Sequence, residues 1–143
     1  CKRVFDFASG SGLVAIAAAL AGAKSVIAND IDPFAITVIG LNADANDVSL
    51  TTESQDVIGD SLDHADIILA GDVCYEQPMA DHTMAWLRDR AESGKPVLLG
   101  DPGRAYLPRD GMEWVIRYGI LETSVVEDTD ARNAIVWRLT PSS

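Results

Sequence analysis

The sequence predicts an α/β fold, a doubly wound and mainly parallel sheet that closes with an antiparallel hairpin. Three observations lead there. Apolar runs of strand length alternate with helical stretches through most of the 143 residues, the pattern of a sheet covered on both faces. The first run, Val4-Phe5-Asp6-Phe7, carries an acid near its end and breaks into the small-residue turn Ala8-Ser9-Gly10-Ser11-Gly12, with an almost purely apolar stretch, Leu13 to Ala23, directly behind it. Two further apolar runs near the C-terminal end face each other across an acidic turn.

Each element has its own signal. Arg3 to Phe7 reads as the first strand, and Ser11 to Ala23 as a helix capped by Ser11, with Gly22 near its end. Ser25 to Asn29 is a second strand. Asp32-Pro33 is a cap followed by an N1 proline, opening a helix to about Asn46. Ser49 to Glu53 alternates like a strand, and Ala65 to Ala70 is a fourth, mostly apolar one. Pro78 opens a helix to about Glu92, punctuated by Gly94, and Pro96 to Gly100 is a fifth strand. After the turn Asp101-Pro102-Gly103 a short helix is expected around Gly111 to Tyr118. Ile120 to Val126 and Asn133 to Leu139 would then form the hairpin, joined by Glu127 to Asp130. Five β-α units and a terminal hairpin result, without repeat, linker or low-complexity segment. The chain reads as one domain, 1–143, large enough to bury a single core.

Composition narrows the partners. With 22 acidic against 11 basic residues the formal charge is −11, and such a surface repels phosphate backbones, so nucleic acid is not expected as a partner. It suits a basic protein patch or a cationic small molecule. No apolar run reaches the roughly 18 residues of a membrane span. Cys1 and Cys74 suggest no disulfide framework, and with His64 and His82 they show no metal-ligand spacing. No signal or transit peptide is evident, and a reducing cytoplasm is the simplest compartment. The chain opens without methionine and enters its first strand almost at once, as a fragment of a longer protein would.

Ligands of open α/β sheets sit beyond the carboxyl ends of the strands, near the switch point. Small residues let a backbone approach such a ligand closely, and the first turn of a helix offers unpaired N–H groups. Gly10-Ser11-Gly12-Leu13-Val14-Ala15 satisfies the dinucleotide pattern G-x-G-x-x-G/A. The acid at Asp6 weighs against a pyrophosphate, which it would repel. Asp30 follows the second strand, twenty positions after Gly10. A carboxylate there can accept both hydroxyls of a ribose, whereas Asp32 before Pro33 already fills the helix-cap role. A ribose is common to a methyl donor and to NAD, so this acid does not separate them. Asp56 follows the third strand and Asp72 the fourth. The bland reading of Asp56 is a solvated loop acid beside Asp60 and Asp63; that of Asp72 is a turn cap, with Tyr75 in the core. Trp86, Trp114 and Trp137 read as core or interface residues, and His64 and His82 as surface.

A resemblance narrows the reading. Asp6-x-Ala8-x-Gly10-x-Gly12 resembles motif I, (D/E)-x-G-x-G-x-G, of the class I S-adenosylmethionine-dependent methyltransferases. Asp72-x-x-Tyr75 matches the D-x-x-Y/F motif of seven-stranded protein lysine methyltransferases. The stretch Asp66-Ile67-Ile68-Leu69-Ala70-Gly71-Asp72-Val73-Cys74-Tyr75-Glu76, with Asp101-Pro102-Gly103-Arg104, is similar to the branch that includes the electron-transfer-flavoprotein β-subunit lysine methyltransferases. The similarity covers essentially the whole chain. It implies a Rossmann-like, seven-stranded sheet with S-adenosyl-L-methionine as cofactor and protein lysine side chains as acceptors, the flavoprotein β-subunit among them.

It also implies residue roles. Asp6 helps bind the methionine ammonium, Ala8, Gly10 and Gly12 form the turn, Asp30 holds the ribose, and its neighbour Ile31 also belongs to the cofactor site. Asp56 accepts from the adenine amino group, with Val57 as the apolar neighbour of the ring. Asp72 and Tyr75 are the catalytic pair. Ala8 stands where the family has its first glycine, and alanine keeps the turn if φ stays negative. The family's N-terminal segment, which helps close the cofactor and substrate sites, would lie ahead of residue 1. Arg104 either orients the active-site loop or pairs with surface acids.

Three other functions fit parts of the pattern. A small-amine, nicotinamide-like N-methyltransferase would share the fold and cofactor. An NAD-dependent oxidoreductase would share the glycines, but Asp6, Asp56 and the terminal hairpin argue against it. A non-catalytic scaffold would explain Ala8. A Ser-His-Asp hydrolase finds no support, because neither histidine has a nucleophile near it in the pattern.

Overall fold

The computed structural model describes residues 1–120 and 132–141. Seven strands form one sheet: β1 (Arg3–Phe7), β2 (Ser25–Asn29), β3 (Thr51–Glu53), β4 (Ile67–Gly71), β5 (Val97–Asp101), β6 (Met112–Ile120) and β7 (Arg132–Leu139). Their order is β3-β2-β1-β4-β5-β7-β6. β3 through β5 run parallel, and β7 enters antiparallel between β5 and β6, with Leu99 opposite Trp137. The order reverses between β1 and β4. From β1 the chain winds outward to β2 and β3, and after β4 it winds the other way.

Three helices cover the sheet among the described residues: α1 (Leu13–Leu20), α2 (Pro33–Ala45) and α3 (Met79–Glu92). The strand period of two separates the two faces. Val4, Val26 and Ala28 pack with Ala15 of α1 and Ile39 of α2 on one side. Phe5, Phe7, Ile68, Ala70, Val97 and Leu99 pack with Ala80, Met84, Trp86 and Leu87 of α3 on the other. Trp86 lies against Phe7 with ring centroids 5.0 Å apart, and its Nε1 donates to the Asp60 carbonyl at 3.0 Å. His64 is exposed, its ring edge-on to Phe5. At the amino end of the sheet the Arg3 guanidinium and backbone N–H both reach Asp66 at 2.7 Å. That pairing holds the Asp66 carboxyl well below the usual carboxylate range.

The predicted doubly wound sheet with a closing antiparallel pair is what forms, with corrections. Asp32 caps α2 as predicted, its Oδ1 accepting from Phe34 N at 2.9 Å. Ser11 does not cap α1. Gly12 takes that position with φ 84° and no side-chain cap bond, and the helix ends at Leu20, three residues short of Ala23. Gly22, with φ 86°, turns the chain there, and Ala23 N donates to Ala18 O at 3.1 Å. Among the described residues there are three β-α units rather than five, since neither 54–66 nor 102–111 is helical.

The largest correction concerns Gly111 to Tyr118. It is not a helix but most of β6, the strand that pairs with β7. Trp114, Val115, Ile116 and Tyr118 are strand formers, and a bulge between Trp114 and Ile116 inserts one residue and breaks the alternation that would have marked a strand. Residues 121–131, which hold most of the predicted first hairpin strand and its acidic turn, lie outside the described residues.

Candidate active site

The carboxyl ends of β1, β2, β4 and β5 border a cleft of about 790 Å³ at the point where the strand order reverses. One end of the cleft is built from backbone. Ala8 adopts φ 52°, so the condition attached to it above is not met; it sits left-handed, where glycine costs less. Gly10 and Gly12 follow with φ 58° and 84°. A Cβ on Gly12 would come to 3.2 Å from the Ile39 side chain, which would have to give by a few tenths of an ångström. The turn is pinned by Ser9 N to Asn29 O at 2.8 Å and Gly12 N to Ser9 O at 2.9 Å.

Two acids brace this turn. Gly10 N donates to Asp30 Oδ2 at 2.8 Å, and Asp32 N donates to Asp30 Oδ1 at 3.0 Å. Each carboxylate oxygen has a second lone pair, so Asp30, in the cleft wall, keeps acceptor capacity for a pair of hydroxyls. Asp6 lies beneath the turn, 1% exposed, and accepts from Ser9 Oγ at 2.5 Å. Burial pushes its carboxyl up to about 6, with the nearby Asp30 charge adding to the shift. The hydrogen bonds from Ser9 and from the Ala15 backbone oppose it.

Beyond β3 the loop 54–58 forms the side wall. Asn29, 1% exposed, donates from Nδ2 to the Glu53 and Gln55 carbonyls at 3.2 and 2.9 Å and holds this loop in place. Asp56 borders the cleft, with Ile58 N donating to its Oδ1 at 3.1 Å. Val57 points into the core at 1% exposure, and Ile58 is the apolar residue of the loop that borders the cleft.

The other end of the cleft belongs to β4 and β5. Asp72, with φ 52°, donates its N–H to Gly100 O at 2.8 Å. Both its carboxylate oxygens accept from Arg104, from Nε and from Nη2 at 2.7 Å each. The bidentate fork fixes the plane of the carboxylate. Arg104 is itself placed by Asp101, whose Oδ2 accepts from Gly103 N at 2.6 Å and Arg104 N at 2.8 Å. Tyr75 and Met79 stand exposed on the rim. Cys74 is buried beside them; burial and then the charges of Asp101, Asp72 and Asp81 push its thiol up to about 11, which keeps it from acting as a nucleophile.

Of the residues singled out from sequence, Ala8, Gly10, Asp30, Ile31, Asp56, Asp72 and Tyr75 border this one cleft. Asp6, Gly12 and Val57 lie behind its wall. Sequence reasoning missed Asn29, Ser9 and Ile58. Asn29 carried a signal in hindsight: an amide at a buried strand end, directly before Asp30, has to satisfy its donors on a neighbour. No group of three or more His, Cys, Asp or Glu among the described residues could hold a metal ion. No helix among them is long and apolar enough to cross a membrane.

A parallel sheet with a strand-order reversal, a glycine turn entering α1 and an acid after β2 defines a Rossmann-like α/β domain of the nucleotide-cofactor class. Known proteins make the assignment finer. The family model described as ribosomal protein L11 methyltransferase (PrmA) matches residues 1–74, just over half of the chain, and the chain belongs to that family. An electron transfer flavoprotein beta subunit lysine methyltransferase of Danio rerio is 34% identical over 143 residues, covering 96% of this chain and 55% of the relative. The chain therefore spans little more than half the length of that relative. Two solved structures share the fold. The ribosomal protein L11 methylase of Lactobacillus delbrueckii subsp. bulgaricus superposes with a TM-score of 0.63 at 20% identity, over 97% of this chain and 70% of its own. The magnesium protoporphyrin IX methyltransferase of Synechocystis PCC 6803, solved with bound S-adenosylhomocysteine, gives 0.65 at 18%, over 97% and 73%.

Proposed function

We propose that residues 1–143 form the catalytic domain of an S-adenosyl-L-methionine-dependent N-methyltransferase that acts on lysine side chains of a protein. The observation that carries this reading is a single cleft bordered by a cofactor-type turn with Asp30 at one end and by Asp72 and Tyr75 at the other. Family membership and the lysine methyltransferase relative support it, as does the methyltransferase neighbour that holds S-adenosylhomocysteine.

The residues present fit the cofactor. Left-handed backbone at Gly10, which borders the cleft, leaves that point of the wall without a side chain for close approach. Asp30 would accept the ribose hydroxyls, Asp56 the adenine amino group, and Ile31 and Ile58 would flank the ring. Asp6 would act from below the turn, where its charge would attract the methionine ammonium. The cofactor supplies a methyl group already activated on a sulfonium, so the protein chiefly contributes proximity and alignment.

The acceptor amine must reach the methyl group with its lone pair free. A lysine ammonium has a pKa near 10.4, and desolvation in the cleft favours the neutral form. Asp72 draws in the ammonium and orients it while the proton leaves to water. Because Arg104 already occupies both Asp72 oxygens, the incoming lysine shares or displaces that fork. Tyr75 offers its ring face and hydroxyl to the cation on the rim.

The flavoprotein β-subunit is the proposed substrate, on the strength of the relative's name. The free thiols of Cys1 and Cys74 are compatible with a reducing, cytoplasmic setting, and the charge of −11 disfavours nucleic acid. The test is methyl transfer from radiolabelled S-adenosylmethionine to purified flavoprotein, to lysine-rich peptides and to nicotinamide. Label on protein lysines, lost with Asp72→Asn, is expected. Label on nicotinamide alone would replace the protein substrate by a small amine.

A further inference from the structure

Arg104 reaches Asp72 from beside the cleft rather than across it. Asp72 borders the cleft, whereas Arg104 lines a neighbouring cavity of about 480 Å³ next to strands β6 and β7. The guanidinium takes one lone pair on each Asp72 oxygen, from Nε and from Nη2 at 2.7 Å each, and leaves the other two free. An acceptor in the cleft can therefore share Asp72 without evicting Arg104. The base of the arginine is fixed as well. Asp101, 2% exposed, accepts from Gly103 N and Arg104 N through Oδ2 at 2.6 and 2.8 Å. The hydrogen bond and charge of Asp72 make the guanidinium hold its proton more firmly than usual; burial opposes this and the Asp101 charge adds to it.

This pairing resolves a conflict within the site. A bare carboxylate beside the acceptor favours the ammonium, yet only the neutral amine has a lone pair to give. With Arg104 on it, Asp72 keeps its acceptor oxygens while its charge is already balanced, and its hold on the extra proton weakens. The other groups near the pair do not replace the guanidinium. Asp30 and Asp56 border the same cleft, and Asp101 and Asp81 of α3 act on the neighbouring Cys74, so these four add negative charge. Burial first, then those charges, push the Cys74 thiol up to about 11, and Tyr75 brings a hydroxyl to the rim. Arg109 lines the neighbouring cavity with Arg104, but among the described residues the ion pair to Asp72 comes from Arg104.

Resting on the protein-lysine methyltransferase reading, we propose that Arg104 is a positioning residue that offsets the charge of Asp72, so that the acceptor ammonium releases its proton to water at neutral pH. One proton leaves and the nitrogen lone pair is freed; nothing is oxidised or reduced. Arg104 acts through Asp72, with no contact to the acceptor required.

The test is the pH dependence of methyl transfer to the purified flavoprotein β-subunit by the intact protein. Saturating S-adenosylmethionine keeps changes in cofactor affinity out of the profile. Wild type should lose rate on the acid side as the bound acceptor takes up its proton. Arg104→Gln removes the charge from a half-exposed side chain and should move that limb about one unit toward alkaline pH. At pH 7 kcat then falls about tenfold, KM is not raised, and the loss is recovered at about pH 9. S-adenosylhomocysteine affinity stays unchanged. Arg104→Lys, which retains the charge, should keep the wild-type limb. Calorimetry in buffers of different ionisation heat gives a readout independent of turnover. With S-adenosylhomocysteine bound at about pH 9, wild type should release more protons than Arg104→Gln on binding the flavoprotein. A limb unmoved in Arg104→Gln, or moved equally in Arg104→Lys, would overturn the role of Arg104 and leave the methyltransferase reading standing. So would a wild-type rate that is flat from about pH 6 to 10, or equal proton release in the two proteins. A wild type that binds S-adenosylhomocysteine but methylates no flavoprotein would overturn the reading itself and this role with it.

Discussion

The two ends of the cleft are built by different means. At the β1–β2 end, position is set by backbone: left-handed residues at Ala8, Gly10 and Gly12, main-chain bonds from Ser9 and Gly12, and an acid, Asp6, sealed beneath the turn. At the β4–β5 end, position is set by an exchangeable contact between two half-exposed side chains, Asp72 and Arg104. The first end is held by main-chain hydrogen bonds, which suits a cofactor that is the same in every turnover. The second can rearrange around a visiting side chain. Surface ion pairs add little to stability, so the Asp72–Arg104 fork matters for geometry rather than for folding.

Breaking the second end should have the largest effect and leave the first untouched. Asp72→Asn is expected to lower kcat about a hundredfold, the scale of a lost positioning group, with S-adenosylhomocysteine affinity unchanged in calorimetry; equal losses in both would merge the two ends into one. Breaking the first end should do the reverse. Asp30→Ala removes the cleft acceptor and the brace on Gly10 N, and should weaken S-adenosylhomocysteine binding by about 10- to 100-fold, with kcat at saturating cofactor nearly retained.

A smaller effect sharpens the claim that backbone shapes the first end. Gly12→Ala puts a side chain at φ 84° and 3.2 Å from Ile39, and should lower stability by about 1–2 kcal/mol in urea unfolding. No change in the midpoint would mean that the turn tolerates a side chain.

The smallest effect concerns pH. The folded state holds the Asp6 proton more tightly than the unfolded chain does, with a pKa raised from 3.8 to about 6. Its contribution to stability is therefore present below about pH 4 and falls as pH rises through about 6. Cofactor affinity should run the opposite way, because an ionised Asp6 attracts the ammonium. S-adenosylhomocysteine should bind several-fold tighter at pH 7 than at pH 5, and Asp6→Asn should flatten that profile.

The same contrast explains what the sequence disclosed. Backbone-determined features were legible because they leave compositional marks: the small residues of the turn, Asp32 before Pro33, and the apolar runs of β1, β4 and β5. Asp30 and Asp72 were legible because strand ends in such sheets are where ligands sit. What could not be read depended on tertiary contacts. The sequence of β6 reads as a helix because its bulge hides the alternation and its place is fixed by β7. The Arg104 fork spans 32 residues, and no local pattern marks it. Val57 and Ile58 exchanged roles because one residue's shift in a short loop turns a side chain from core to cleft.

The proposed ligand of this cleft is a methyl donor rather than a dinucleotide. Calorimetric titration of the intact protein with S-adenosylhomocysteine and, in parallel, with NAD tests it most directly. Saturable one-to-one binding of S-adenosylhomocysteine, weakened by Asp30→Ala, and no heat with NAD are expected. Saturable binding of NAD, or no binding of S-adenosylhomocysteine, would contradict it.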